Sequence, residues 1–193
     1  ALAKLGLTPD EARIVAEHLV DASMWGYEFA GLPRILVIAE RPELKKPRTP
    51  VLIVKETPVS AQLDGGNNLG YVSLLRAIEV AIEKVRKSGI AIIGLRNMWF
   101  SGRNAYYVEL MVRAGLVGIH TASAKPHVLP PGGRRAALGT NPISIGFPSS
   151  SGPVIYDIGT ASLMWGEVLL MARLGEALPE GVGFDADGNP TCD

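Results

Sequence analysis

Cysteine is almost absent from this chain of 193 residues, in which the one thiol belongs to Cys192, next to the last residue. A single cysteine excludes a disulfide framework within the chain and any metal site built from several thiolates. The scarcity of cysteine also favours a reducing compartment, so we expect a cytoplasmic protein.

Net charge is lacking as well, because 19 basic side chains are matched by 19 acidic ones. A chain without excess positive charge attracts neither nucleic acid nor an anionic membrane, so neither is expected as a partner. Glycine, proline or charge also interrupts every apolar stretch before it reaches the ~20 residues that a membrane-spanning helix needs. These absences point to a soluble, globular protein.

Familiar catalytic motifs are missing too. The sequence has no GxSxG nucleophile turn, no HExxH pair and no cluster of aspartates. The three histidines, His18, His120 and His127, lack the spacing of metal ligands, so no metal site is predicted. His18 falls opposite the apolar face of its helix and is predicted to be solvated.

Hydrophobic periodicity and turn signals predict alternating helices and strands, with a strand–helix–strand unit from about residue 90 to 120, which favours a sheet covered by helices. Thr8 caps a first helix that runs to Met24, with Pro9 at its first position and Glu11 completing a capping box. Further helices are predicted at 32–40, 71–87, 104–114 and 162–174, and strands at 51–54, 61–63, 90–95, 117–120, 143–147 and 154–157. The last residues, 181–193, are predicted to be a trailing loop.

The glycine-rich stretch from Asp64 to Gly70 has two interpretations. It is either a tight turn or a backbone site for an anion at the start of the helix that follows. It lacks the lysine of a P-loop and does not follow the GxGxxG pattern, so it matches neither standard nucleotide motif. The prolines and basic residues near 45–48 predict a linker, which divides an N-terminal helical segment (1–46) from a sheet domain (47–193).

Several short motifs stand in a distinctive order along the chain. They are Asp64-Gly-Gly-Asn-Asn-Leu-Gly70, the run from Ala81 to Ile90, Gly139-Thr-Asn-Pro142, Asp157-Ile-Gly-Thr160 with Gly166, and Pro179-Glu-Gly with Asp185 to Thr191. Their order and spacing resemble the type-2 malate/L-lactate dehydrogenase family, which includes sulfolactate and ureidoglycolate dehydrogenases and cyclic imino acid reductases. The resemblance extends over nearly the whole chain.

This resemblance implies a non-Rossmann α/β fold with a mixed sheet, a homodimer, and hydride transfer between NADH or NADPH and a 2-keto acid or cyclic imine. The cofactor-binding positions that it implies are Gly139, Thr140, Asn141, Pro142, Asp157 and Thr160. It also implies a C-terminal segment beyond Thr191 that helps to form the cofactor site. The sequence ends near this point, which leaves open a shortened relative or a piece of a larger chain.

The positions that the resemblance makes catalytic carry different residues here. Counting back from Tyr107 puts Phe100 where the family has an acid/base histidine. The family's Ser-His-Gly signature falls on Phe29-Ala30-Gly31, followed by Arg34. Both histidines are therefore predicted to be replaced by apolar residues.

The replacements predict a hydrophobic pocket in place of a polar one. Its predicted lining is Phe29, Ala30, Met98, Trp99, Phe100 and Trp165. The predicted catalytic residues are Arg34, which would hold a substrate carboxylate, and Tyr107, which would stand in as proton donor.

Three functions stay open at this point. The favoured one is an NAD(P)-dependent oxidoreductase that acts on a bulky or imine-like substrate rather than on malate or lactate. The second is a reaction without hydride transfer, such as a cyclisation, in the same apolar pocket. The third is a non-catalytic subunit, in which the run Met98-Trp99-Phe100 serves core packing or an interface.

Overall fold

The structure, a computed structural model, describes all 193 residues of the chain and contains five α-helices and eight β-strands. The helices are α1 (Pro9–Met24), α2 (Arg34–Glu40), α3 (Gly70–Ser88), α4 (Asn104–Arg113) and α5 (Trp165–Leu174). The strands are β1 (Leu52–Thr57), β2 (Ser60–Leu69), β3 (Ile92–Trp99), β4 (Gly118–Thr121), β5 (Ile143–Phe147), β6 (Val154–Ile158), β7 (Gly183–Phe184) and β8 (Pro190–Thr191). The α/β class predicted from the sequence is confirmed.

The first sheet has three strands in the order β1, β2, β3. Strand β1 pairs antiparallel with β2, whereas β2 pairs parallel with β3, so this sheet is mixed, as predicted. Parallel neighbours need a crossover connection, which α3 supplies between β2 and β3. The buried face of α3, which includes Leu74, Ala77 and Ile78, packs toward these strands.

The second sheet is antiparallel, in the order β4, β5, β6, and α4 covers one of its faces. Glycine lets the helix approach closely, since a Cβ atom on Gly146 would lie 2.3 Å from Val108 and 2.8 Å from Val112 of α4. The sequence suggested that β3, α4 and β4 form one strand–helix–strand unit. That expectation is wrong, because β3 and β4 belong to different sheets.

The N-terminal segment and the first sheet share one hydrophobic core. Its eight buried members are Leu2, Leu7, Val15, Leu19, Ile38, Leu69, Tyr71 and Trp99. Trp99, at the end of β3, is 8% exposed and donates its Nε1–H to the carbonyl of Asn67 at 3.1 Å. The helices before residue 46 are therefore anchored on the end of the sheet, although the predicted division into two domains remains a prediction.

The glycine-rich stretch is a strand rather than a turn. Residues 64–69 continue β2 up to α3, with a register shift against β3 between Asp64 and Asn68. Side chains hold this irregular extended backbone, since the Asn68 amide donates to the carbonyls of Thr49 at 2.7 Å and Gly65 at 2.8 Å. Neither interpretation of the sequence, a tight turn or an anion site, included a strand, because glycine and asparagine disfavour strands, and tertiary hydrogen bonds override that tendency.

Two further expectations need correction. Met98 and Trp99, which lie beyond the strand predicted at 90–95, belong to β3, so the connection to α4 begins only at Phe100. The chain end, predicted to be a loop, contains the hairpin of β7 and β8. The Asp185 carboxylate closes this hairpin by accepting the backbone N–H groups of Asp187 and Asn189, each at 2.9 Å.

The face of the second sheet opposite α4 is apolar and largely open. Side chains exposed on it include Ile119, Phe147, Val154, Tyr156 and Ile158. Exposed apolar patches of this kind mark interaction surfaces in soluble proteins. None of the helices has the length and apolar content that crossing a membrane requires.

Candidate functional site

Arg34 is positioned by a tight connection between α1 and α2. Gly31 lies against α1, where a Cβ atom would come within 2.1 Å of the Ser23 hydroxyl, and that hydroxyl accepts the N–H of Leu32 at 3.0 Å. The connection then enters α2 at Arg34, whose guanidinium carbon lies 5.1 Å from the ring centroid of Phe100. This distance is within the range of a cation–π contact.

The start of α5 lies on the other side of Arg34. A Cβ atom on Gly166 would lie 2.4 Å from a guanidinium nitrogen of Arg34 and 2.6 Å from the ring of Phe29. The absence of a side chain at Gly166 therefore makes room for both groups. Phe29, Arg34, Phe100 and the first turn of α5 come together in one place.

The guanidinium of Arg34 has no hydrogen bond or ion pair within the protein. Burial lowers the pKa of Arg34, and the neighbouring charge of Arg41 acts in the same direction, while Tyr71 acts against it. Guanidinium groups remain protonated in proteins, so this is a charged group with five N–H donors and no anionic partner. Such a group suits bidentate binding of a carboxylate.

Phe100 stands at the centre of this arrangement. Its φ angle is +59°, a left-handed conformation that is rare for a bulky residue and is often found at functional sites. The guanidinium carbon of Arg41 lies 4.8 Å from its ring centroid, and the Trp99 ring lies 5.5 Å away. An aromatic face beside two arginines carries no group that could transfer a proton.

The six residues predicted to line a pocket are not all in one place. Phe29 and Phe100 flank Arg34, and the buried Ala30 lies in the same short helical turn as Phe29. Trp165 begins α5 beside Gly166, and its ring stacks on His127 with centroids 4.2 Å apart.

Met98 and Trp99 point into hydrophobic cores instead. Trp99 is a member of the N-terminal core, and Met98 packs against the cluster that contains Leu74, Ile78 and Tyr107. Of the run Met98-Trp99-Phe100, the first two side chains therefore serve core packing, which was the alternative interpretation. Phe100 lies beside Arg34 instead.

The segment predicted to bind the cofactor joins two loops of the second sheet. Thr160 donates its N–H and its hydroxyl to the carbonyl of Thr140, both at 2.9 Å. Asn141 has a positive φ of 34°, and its side chain accepts the N–H of Ala124 at 3.3 Å. The backbone N–H groups of Thr140 and Asn141 have no partner within the protein. These two donors could bind a phosphate or a carboxamide oxygen.

The other residues predicted to bind the cofactor lie at or near the same junction of the two loops. Gly139 lies so close to Ala124 that a Cβ atom would be 2.5 Å from its carbonyl oxygen, and Pro142 accepts the N–H of Ala122 at 3.3 Å. Asp157 lies on β6, where its carboxylate accepts the N–H of Ala105 at 2.9 Å, near the start of α4. Burial raises the pKa of Asp157, while the Ala105 hydrogen bond and the charge of Arg103 act in the opposite direction.

Tyr107, the predicted proton donor, is fully buried in α4. Its hydroxyl donates to the carbonyl of Ser101, and burial raises the pKa of the phenol well above its ordinary value. Tyr71 is also buried, with its pKa raised to about 12, but its hydroxyl has no partner. Tyr71, not singled out from the sequence, therefore has the freer hydroxyl of the two tyrosines.

The prediction that His18 is solvated is wrong. His18 is 1% exposed, its Nε2 accepts the backbone N–H of Arg103 at 2.9 Å, and its ring packs against Tyr71, Tyr106 and Tyr107. Burial, assisted by the charge of Arg103, lowers its pKa to about 3. The helical pattern alone did not reveal this, because the polar side of α1 is covered by the loop after β3.

A row of polar side chains lies under α4, and most of it was not predicted. His120 of β4 is opposite Ser144 of β5, which is opposite Asp157 of β6. Asn104, the first residue of α4, is 3% exposed and precedes Ala105, the residue that donates to Asp157. Burial lowers the pKa of His120 to about 4, so this histidine is neutral at pH 7. Only the strand register brings these residues together.

The site therefore combines a charged arginine without an anionic partner with the aromatic rings of Phe29 and Phe100, next to a mixed sheet with a single crossover. Comparison with known proteins shows the family to which this chain belongs. Residues 1–193 match the family model described as malate/L-lactate dehydrogenase, and the chain belongs to this family of dehydrogenases.

Individual relatives agree with this assignment. The chain is 35% identical over 191 residues to the malate/(S)-sulfolactate dehydrogenase of Methanothermus fervidus, covering 98% of this chain and 56% of the relative. It is 34% identical over 197 residues to the ureidoglycolate dehydrogenase (NAD(+)) of Escherichia coli strain K12, covering 100% of this chain and 56% of the relative.

A solved structure shares the fold. The delta1-piperideine-2-carboxylate reductase of Pseudomonas syringae pvar. tomato superposes with a TM-score of 0.84 at 29% identity, over 97% of this chain and 57% of the other. The chain therefore spans little more than half the length of the relatives that it matches.

Proposed function

We propose that the protein works as an NAD(P)H-dependent oxidoreductase on a small substrate that combines a carboxylate with a bulky or imine-like reacting end, rather than on malate or lactate. The observation that carries this proposal is the unpartnered guanidinium of Arg34, held between the ring of Phe100 and the start of α5. Arg34 is partly buried, and a partly desolvated positive charge without a partner is destabilising, so a substrate carboxylate would stabilise it.

The surroundings of Arg34 favour an apolar substrate body. Phe29 and Phe100 present aromatic surface beside the guanidinium, and neither can donate a proton. General acid help is worth about 10²–10⁴ in rate, so a neutral keto acid would react slowly here. A protonated imine already carries the charge that attracts hydride and needs less help. A relative of the same fold is named as a reductase of such an imine, delta1-piperideine-2-carboxylate.

The loop junction at Thr140 fits a nicotinamide cofactor. The free N–H groups of Thr140 and Asn141 and the hydroxyl side chain of Thr160 lie together there, with Gly139 and Pro142 shaping the backbone and Asp157 on the adjoining strand. The cofactor would supply hydride. Either NADH or NADPH is compatible with these groups, and the name of the Escherichia coli relative specifies NAD(+).

Substitution of Arg34 tests the proposal. The steady-state rate of reduction of a cyclic imino carboxylate is measured with NADH and with NADPH, for the parent protein and for Arg34→Met. We expect kcat/KM to fall about 10- to 100-fold, because a hydrogen-bonded charge pair contributes about 1.5–3 kcal/mol. Arg13→Met, on the exposed face of α1, is the matched control and should change little.

Binding of the cofactor is tested separately by nicotinamide fluorescence. Saturable binding of NADH or NADPH to folded protein supports the oxidoreductase. Folded protein that binds neither, yet binds an apolar carboxylate through Arg34, would instead support the second function, a reaction without hydride transfer such as a cyclisation. The aromatic face of Phe100, with no proton donor beside it, is the observation that favours this alternative.

A homodimer is also part of the proposal. The apolar face of the second sheet, which includes Ile119 and Tyr156, is a suitable surface for a second copy. Sedimentation equilibrium would measure the mass in solution. A monomer at every concentration would reject this part and leave the catalytic proposal untouched.

A further inference from the structure

The polar row under α4 has an unusual property for the interior of a protein. Four of its buried atoms have no hydrogen-bond partner: Nδ2 and Oδ1 of Asn104, Nε2 of His120 and Oγ of Ser144. Buried polar atoms of native proteins are nearly always bonded to protein or to ordered water. These four atoms therefore need partners that the protein does not supply.

The strand register places these atoms around a common space. Residues directly opposite each other on antiparallel strands have Cβ atoms about 4.5–5.5 Å apart on the same face of the sheet. His120, Ser144 and Asp157 occupy three consecutive strands in this way, and α4 closes the space from above. The hydroxyl of Ser144 nevertheless bonds to neither neighbour, so it needs a partner that the protein does not supply.

The chemistry of the lining selects the occupant. Asn104 offers two donors and an acceptor, the serine hydroxyl offers both, and a neutral imidazole nitrogen is either a donor or an acceptor. Asp157 uses one carboxylate oxygen for Ala105, and its other oxygen has no partner in the protein. An apolar ligand would satisfy none of these groups. A water molecule, which makes about three hydrogen bonds when buried, satisfies several at once.

We propose that Asn104, His120, Ser144 and Asp157 line a hydration site under α4, in which one or two ordered water molecules link the amide, the imidazole and the hydroxyl to the free oxygen of the carboxylate. Asn104 is the residue that makes the site polar from the helix side. Gly118 and Gly146 bring α4 close to the sheet beside this site.

The hydration site also bears on catalysis, and this part rests on the proposed function. Asp157 stands three residues before Thr160, which is bonded to Thr140 in the candidate cofactor segment. His120 is only partly buried as a residue, although its Nε2 is enclosed. The water therefore connects a carboxyl close to the candidate cofactor segment with an imidazole that reaches the surface. Proton movement along such a row leaves each member unchanged, because each gives up one proton as it accepts another.

A high-resolution crystal structure of the chain tests the site directly. We expect solvent density within hydrogen-bonding distance of Ser144 Oγ and of at least one of the Asn104 side-chain atoms. Direct hydrogen bonds among Asn104, Ser144 and Asp157 with no density between them would overturn the proposal. This readout does not depend on any cofactor, so it stands even when the proposed oxidoreductase activity is absent.

A double-mutant cycle gives an independent measurement in solution. Denaturant unfolding is measured for the parent protein, for Asn104→Ala, for Ser144→Ala and for the double variant. A control cycle uses Ile143→Val, on the opposite face of β5, in place of Ser144→Ala. We expect the change in the unfolding equilibrium constant of the double variant to differ at least about twofold from the product of the two single changes, because the two side chains share a water molecule. A simple product of effects in the Asn104 and Ser144 cycle would contradict the shared site.

One further variant keeps the test decisive when an alanine variant fails to fold. Ser144→Val replaces the hydroxyl of the hydration site with methyl groups. Magnetisation transfer from water to the neighbouring amide protons then reports whether a water molecule still occupies the hydration site. We expect this transfer in the parent protein and its loss in Ser144→Val. Persistence of the signal in the valine variant, or its absence from the parent, would overturn the site.

The catalytic role has its own readout. In a protein that reduces its substrate, His120→Asn should alter the pH profile of kcat without changing the binding of NADH, since His120 does not belong to the cofactor segment. An unchanged profile would reject the role of the row in proton movement, while the crystallographic water would remain.

Discussion

We expect acid to destabilise the fold through His18. Its pKa is about 3 in the folded protein, because burial disfavours the charged imidazole, against 6.5 for an exposed histidine. The unfolded chain therefore binds one more proton than the folded chain between these two values. The stability associated with this residue is fully present above pH 6.5 and is lost as the pH falls toward 3.

The magnitude follows from proton linkage. Each pH unit between the two pKa values lowers the free energy of unfolding by about 1.4 kcal/mol, so the loss between pH 7 and pH 5 is about 2 kcal/mol for His18 alone. His120, whose pKa is lowered to about 4 by burial, adds a loss in the same direction. We expect the His120 contribution to be the smaller one, since that residue is partly exposed.

Denaturant unfolding followed by circular dichroism at pH 7 and at pH 5 measures this loss. The informative variant is His18→Gln, which can still accept the N–H of Arg103 but does not titrate. We expect it to be less stable than the parent at pH 7, and to lose about 2 kcal/mol less on going to pH 5. His127→Gln, at an exposed position, is the matched control. An equal pH dependence in His18→Gln and in the parent would refute the reasoning.

Two further predictions concern packing and charge. Gly146→Ala should destabilise the protein by about 1–3 kcal/mol, because the added carbon would meet Val108 at 2.3 Å, and thermal unfolding measures the shift. The control is Gly94→Ala, which adds a carbon in open space and should lower stability by less than about 1 kcal/mol. Gly152 is unsuitable as a control position because its φ is positive. Arg103→Met should destabilise by about 3–5 kcal/mol, since it removes the shared partner of two carboxylates, and an effect below 1 kcal/mol in denaturant unfolding would contradict this.

Local signals in the sequence were sufficient for most regular elements. The capping box of Thr8 and Glu11 is present at the start of α1, and the amphipathic run after Gly70 is α3. These features depend on residues close in sequence, so periodicity and capping chemistry predict them. The family was likewise recognisable, because its motifs are short stretches in a fixed order.

Features that depend on distant residues were not predictable in the same way. The burial of His18 is caused by the loop of Gly102 and Arg103, 84 and 85 positions further along the chain. Strand β2 extends through glycine and asparagine because the Thr49 carbonyl binds Asn68. The side chains of Met98 and Trp99 were assigned to the candidate pocket with Phe100, but alternation along β3 directs them into cores. Each case requires knowledge of which elements pack together.

Trp99 has a consequence for the candidate site that extends beyond core packing. A chain that began after residue 46 would expose this indole together with Leu69 and Tyr71, and a buried aromatic side chain contributes 150–250 Å² of surface, so such a fragment should aggregate. Phe100 is the very next residue, and its ring rests on an arginine that itself belongs to the N-terminal segment. Any change in how the first helices pack on the sheet therefore moves the Phe100 ring and the Arg34 charge together. The proposed binding of a carboxylate at Arg34 would then be sensitive to mutations far from the ligand.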